Sequence, residues 1–229
     1  ALAYGYGSVW VTNADDRSLF RIDPTRGLVT RKIAVDAVGR GLAVGGGSVW
    51  VTDESSRELL QIDPRTNKIT GTQTVGTGPA GVAYAHGSIW VANALDDTVS
   101  QIDAKSLKVR QVIPVAGSPS GVAVGDGSIW VSAEFGARVI RIDPARGTII
   151  GSIRIGNRPK GLAVGAGSLW VAVQPSGQGH YGGRLIVLDT SSLDSIDPAV
   201  SNLTTTYALL RTVYDGLTNT RPVGGSAGT

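Results

Sequence analysis

The chain has no cysteine and no methionine, only two phenylalanines and two histidines, and charged residues at just 17% of its 229 positions. Without cysteine there is no disulfide, no thiolate nucleophile and no zinc–thiolate site, and the redox compartment stays unspecified. Lysine and arginine (21) exceed aspartate and glutamate (18) by three, with no basic run that would track a phosphate backbone, so nucleic acid is not the expected partner. Nowhere do about 18 apolar residues run together, and the first residues lack both the basic region and the apolar stretch of a secretory signal. No membrane span is expected. The missing initiator methionine and the finish at Gly225–Thr229, directly after a structured-looking stretch, lead us to expect a piece of a longer protein.

The catalytic inventory is thin. There is no Gly-x-Ser-x-Gly elbow, no histidine-rich metal spacing and no phosphate loop. His86 falls in a turn slot, and the carboxylate pairs Asp15-Asp16 and Asp96-Asp97 are adjacent residues on turns, whose side chains point apart. The expectation is a non-enzymatic protein with no catalytic residue, no metal and no cofactor.

What is present is a ruler. Trp10, Trp50, Trp90, Trp130 and Trp170 recur every 40 residues, each inside a Gly-Ser-x-Trp-Val segment. Twelve residues past the first four come Ile22-Asp23-Pro24, Ile62-Asp63-Pro64, Ile102-Asp103-Ala104 and Ile142-Asp143-Pro144. Within the unit 41–80, four strand-length apolar segments follow one another: Leu42–Val44, Val49–Val51, Leu59–Ile62 and Ile69–Val75. Glycine, aspartate, asparagine and proline separate them. Four antiparallel strands per 40 residues is the signature of a β-propeller blade. The fold class is therefore all-β, a propeller of four full blades and part of a fifth over residues 1–174. The tryptophans would fill the wedge between blades, and the small, glycine-flanked first strands would crowd the axis.

Chemistry diverges between copies on one rim. The connections after the first strands are plain turns. Those after the second strands, with the blade-to-blade connections beside them, differ in charge and polarity from copy to copy. This rim supplies the candidate ligand-binding residues Arg40, Asp53, Glu54, Asp96, Asp97, Glu134, Phe135, Arg158 and Lys160. The expected partner is a small molecule, peptide or protein on these loops.

The segments Gly76-Thr77-Gly78-Pro79-Ala80-Gly81-Val82-Ala83, Ser88-Ile89-Trp90-Val91-Ala92-Asn93 and Val99-Ser100-Gln101-Ile102-Asp103 resemble the YVTN/NHL-like propeller repeats. Such propellers serve as ligand sensors, protein platforms and occasionally lyases. One lyase family of this fold cleaves a cyclic peptide antibiotic with His, Glu and Mg²⁺ near the channel, which makes a lyase acting on a cyclic peptide the enzymatic alternative. A sensor domain of a cytoplasmic regulator or kinase is the other.

The ruler breaks after Val173. Residues 175–182 read as a linker. Over 183–229, Gly183-Arg184-Leu185-Ile186-Val187-Leu188, Ser195-Ile196-Asp197-Pro198-Ala199 and Leu210–Leu217 resemble the start of family 5 extracellular solute-binding proteins, the peptide- and nickel-binding receptors of ABC importers. Leu203, Tyr207, Leu210, Tyr214 and Leu217 carry helical spacing, so this tail is expected to be α/β. The resemblance implies an extracytoplasmic location, periplasmic or cell-surface. A regulator would be cytoplasmic. Four and a half blades leave an open propeller edge, which invites self-association.

Overall fold

In a computed structural model of the chain, residues 1–174 are described; the predicted linker, the 183–229 segment and its helix lie outside them. The described residues are all-β. The first blade contains β1 (Leu2–Gly5), β2 (Ser8–Asn13), β3 (Ser18–Asp23) and β4 (Leu28–Ala34). The second contains β5 (Gly39–Gly45), β6 (Ser48–Asp53), β7 (Glu58–Asp63) and β8 (Lys68–Thr74). The third contains β9 (Pro79–Ala85), β10 (Ser88–Asn93), β11 (Thr98–Asp103) and β12 (Val109–Pro114). The fourth contains β13 (Pro119–Gly125), β14 (Ser128–Ala133), β15 (Arg138–Asp143) and β16 (Thr148–Arg154). The two strands β17 (Pro159–Gly165) and β18 (Ser168–Val173) begin a fifth. Each full blade is an antiparallel meander in chain order, and the first strands β1, β5, β9, β13 and β17 are successive neighbours on the inside. This is the β-propeller arrangement that the 40-residue period predicts.

The burial pattern follows from the layering. The second strand has a blade on each face, so β6 and β10 are buried at every residue rather than at alternate ones. The fourth strand is outermost and mostly exposed. Three of the indoles pack on the following blade: Trp10 among Leu42, Val49 and Val51, Trp50 among Val82, Ile89 and Val91, and Trp90 among Ile129, Val131 and Ile142. These three are fully buried. Trp170, whose outward side faces no further blade among the described residues, is 44% exposed.

The glycine-serine pair before each tryptophan has two separate reasons. The tight turn after the first strand puts two consecutive residues at positive φ, as at His86 and Gly87, which glycine tolerates at the second position in every copy. The serine hydroxyl is buried and accepts a hydrogen bond from the third strand: Arg21 Nε at 2.9 Å on Ser8, Gln61 Nε2 at 2.9 Å on Ser48, Arg141 Nε at 2.7 Å on Ser128. The indole N–H of Trp10 and Trp50 donates to the carbonyls of Gly5 and Gly45. The Asp-Pro marker is a turn cap. Asp23, Asp63, Asp103 and Asp143 each accept the backbone amide two residues on at 2.7–3.0 Å.

Inner strands approach one another closely enough to exclude side chains. A Cβ on Gly41 would sit 2.2 Å from the carbonyl oxygen of Ala80, and one on Gly121 2.2 Å from that of Lys160. Hydroxyls fasten the same junctions. Thr52 Oγ1 accepts the amide of Gly41 and donates to the Ala80 carbonyl, both at 2.8 Å, and Ser132 does the same between Gly121 and Lys160 at 2.8 and 2.7 Å.

Removing a fully buried indole leaves a large cavity, so Trp50→Ala is expected to cost about 3–5 kcal/mol in urea unfolding. Trp170→Ala should cost less than half as much. Equal losses would contradict the inter-blade placement of the side chain.

Candidate functional site

The rim formed by the second-to-third-strand turns and the blade-to-blade connections is built by a repeated irregularity. Near the start of the first strands β5, β9, β13 and β17 the register with the second strand slips, between Gly39 and Leu42, between Pro79 and Val82, between Pro119 and Gly121 and between Pro159 and Leu162. Such a bulge re-aims the extra residue. Arg40, Ala80, Ser120 and Lys160 occupy the same place in these slips, one per blade, and the Arg40 and Lys160 side chains are exposed.

The turns are latched to the connections of the blade before. Leu95 N–H donates to the Thr77 carbonyl and Ala94 to Gly78; Phe135 donates to Gly117 and Glu134 to Ser118; Gln174 donates to Arg158. The rim is thus a framework of backbone bonds from which a few side chains project.

Six of the nine predicted residues come together on it as pairs. Arg40 Nε lies 2.5 Å from Glu54 Oε2 within the second blade, and Lys160 Nζ lies 3.5 Å from Glu134 Oε1 across the fourth and fifth. The Arg158 guanidinium sits 4.9 Å from the centroid of the Phe135 ring. Phe135 is nonetheless 65% exposed. Arg158 forms no ion pair among the described residues.

The other three are spent on the framework. Asp96 Oδ2 accepts the Thr77 amide at 2.5 Å, while the neighbouring Asp97 Oδ1 accepts the amides of Gly117 and Ser118 at 3.2 and 2.7 Å. The two adjacent carboxylates therefore point to opposite neighbouring connections. Asp53 is buried. Burial by itself would raise its pKa, but the hydroxyls of Ser56 and Ser55 and the amides of Ser55 and Val38 outweigh that and hold it below the ordinary carboxylate value.

Leu95, which the sequence reading passed over, is 73% exposed and occupies in the third blade the slot that Phe135 holds in the fourth. Superposing the copies by register reveals it. Two apolar side chains thus project from consecutive turns.

His86 lies in a turn on the opposite rim, so the described residues do not offer Glu54 or Glu134 a histidine partner of the kind the Mg²⁺-dependent lyases use. Among the described residues no group of three or more His, Asp or Glu side chains is placed to hold a metal ion, and no helix is long and apolar enough to cross a membrane.

No family model and no curated protein matches the chain. Solved structures do. Virginiamycin B lyase from Staphylococcus aureus, crystallised in an inactive form with quinupristin, is 17% identical over 75% of this chain and 61% of its own, with a TM-score of 0.66. A streptogramin B lyase is 19% identical over 74% and 60%, also at 0.66. Hydrazine synthase from Kuenenia stuttgartiensis is 18% identical over 68% and 48%, at 0.62. The chain thus spans between about half and three fifths of these proteins' lengths. At such identities the likeness establishes the fold. It also corrects one expectation: these propellers are named as enzymes, so a non-enzymatic chain cannot be argued from the fold and a short list of histidines. A site assembled from one residue per blade leaves no local motif in the sequence.

Because the folded pKa of Asp53 lies below its unfolded value, its contribution to stability is complete above about pH 5 and is lost as the pH falls below about 4. Asp53→Asn should therefore lower stability at pH 7 and flatten the loss of stability as the pH falls through the acidic range, in titrations followed by circular dichroism. A variant whose pH profile parallels the parent's would contradict the bonding assigned to this carboxylate.

Proposed function

We propose that the chain is the propeller module of a larger protein and binds a ligand on the rim that carries Arg40, Glu54, Glu134, Phe135, Arg158 and Lys160. The observation that carries this reading is Phe135, left largely exposed on a turn latched by backbone hydrogen bonds, with a guanidinium over its ring that forms no ion pair among the described residues. An exposed aromatic beside a cation suits a ligand with an apolar group and a carboxylate, as at the C-terminus of a short peptide. Leu95 on the preceding blade widens the apolar part. The 183–229 segment, by its resemblance to solute-binding receptors, supports attachment to a peptide-import receptor outside the cytoplasm. Asp53, Asp96 and Asp97 serve this rim by holding its loops.

A second reading is favoured by the likeness to the two lyases: the same rim binds a cyclic peptide and opens it. Binding is the step both readings require.

The test is a calorimetric titration with the tetrapeptide Ala-Ala-Ala-Phe bearing a free C-terminus, with its C-terminal amide, and with quinupristin followed for turnover. Binding of the free acid that is weakened at least ten-fold in Phe135→Ala and in Arg158→Gln, with folding stability within about 0.5 kcal/mol of the parent, supports the rim. Ring opening of quinupristin moves the protein to the second reading. Affinity that is equal in parent and variants removes both.

A further inference from the structure

On the opposite rim, the groove between neighbouring blades repeats three times among the described residues, and the copies serve as controls for one another. Between the second and third blades it is filled with hydrocarbon: a Cβ on Gly71 would meet Leu107 Cδ1 at 2.4 Å. Between the third and fourth it is a hollow of about 560 Å³ lined by Gln101 and Gln111, whose two arginines, Arg110 and Arg146, are paired with Asp103 and Asp143. Between the first and second blades the hollow is about 530 Å³, and Arg21, Arg31 and Arg65 stand where the other carries Gln101, Gln111 and Ala145. It adjoins a second hollow of about 640 Å³ that adds Lys32 and Lys68 and shares Arg31 and Arg65.

These charges are poorly compensated. Lys32 is tied to Asp16 at 3.0 Å, and Arg65 Nε is 3.7 Å from Asp63. Arg31 and Lys68 have no side-chain hydrogen bond or ion pair among the described residues. The one carboxylate in the lining, Asp23, already accepts the amides of Thr25 and Arg26 and has Arg26 at 3.9 Å.

Arg21 differs from the others in being fixed. Its Nε donates to Ser8 Oγ at 2.9 Å, its Nη1 to the Pro64 carbonyl at 2.7 Å and to Asn67 Oδ1 at 3.3 Å, and its guanidinium lies 5.1 Å from the Trp10 centroid. No acceptor for its Nη2 is found among the described residues. A guanidinium held by the scaffold, with Arg31 unpaired among the described residues and the largely exposed Arg65 only loosely tied to Asp63 in the same lining, is the arrangement that recognises a compact dianion by charge-assisted, forked hydrogen bonds.

We propose that this groove between the first and second blades binds a small doubly charged anion, a phosphomonoester or a dicarboxylate, at a site separate from the recognition rim. The site stands on Arg21, Arg31 and Arg65, independently of what the rim binds.

The test is isothermal titration of the 229-residue chain at low salt with inorganic phosphate and, separately, with succinate. The same titrations are run on Arg31→Gln/Arg65→Gln and on Arg146→Gln in the neighbouring groove. The expected result is saturable binding of at least one anion, weakened ten-fold or more in the double variant and unchanged in Arg146→Gln. Saturation by phosphate alone identifies a phosphomonoester, and by succinate alone a dicarboxylate. If the double variant has a lowered melting temperature, the single Arg31→Gln, whose side chain makes no polar bond, carries the comparison. No saturable binding of either anion, or equal affinity in parent and Arg31 variants, overturns the proposal.

Discussion

Burial of an indole between two sheets is the interaction from which the rest of the molecule follows. A four-stranded meander of 40 residues is too thin to enclose its own core, and its second strand is apolar on both faces. It becomes stable only when each face finds another sheet. The tryptophan is large enough to fill the wide part of the wedge between two blades. Towards the axis the wedge narrows, and there the sequence turns to glycine because the neighbouring carbonyl lies where a Cβ would be. Size thus falls from tryptophan to glycine along the direction in which the sheets converge. That gradient makes a ring of blades rather than a flat stack.

The same junction sets the candidate recognition surface. Where the first strand passes its neighbour it is bulged, and the extra residue is turned toward the rim. Thr52 and Ser132 bond the backbone on both sides of the junction, so the bulge is held rigidly although the residue it presents varies from Arg40 to Ala80, Ser120 and Lys160. Uniform backbone with variable side chains is what a binding scaffold needs. The opposite rim follows the same rule at its grooves, where apolar, neutral and basic linings share one geometry.

Period, strand number, strand order and the roles of tryptophan and Asp-Pro were legible in the residues because each is enforced in every blade, so comparing copies averages away local noise. The candidate rim was legible for a related reason: its residues are those on which the copies disagree. The fate of individual carboxylates was not. Asp53, Asp96 and Asp97 look like Glu54 and Glu134 in a string of letters, and only the position of a backbone amide on an adjoining connection distinguishes a loop fastener from a carboxylate paired with a side chain on the rim. The groove arginines were missed because Arg21 and Arg31 sit on strands, at positions that a search confined to loops does not visit. The inference against catalysis failed because it searched for contiguous motifs, whereas a propeller gathers its functional residues from different blades.

The central claim is that Trp10, Trp50 and Trp90 are each shared between their own blade and the next, and a double-mutant cycle measures that sharing directly. Trp50 packs against Val91 in the third blade and lies in a different cluster from Val131 in the fourth. Urea unfolding of Trp50→Leu, Val91→Ala and the double variant should give a coupling of about 1 kcal/mol, while the cycle of Trp50 with Val131 should be additive within about 0.5 kcal/mol. Additivity in the Trp50–Val91 cycle, or equal coupling in both, would contradict the arrangement of blades described above.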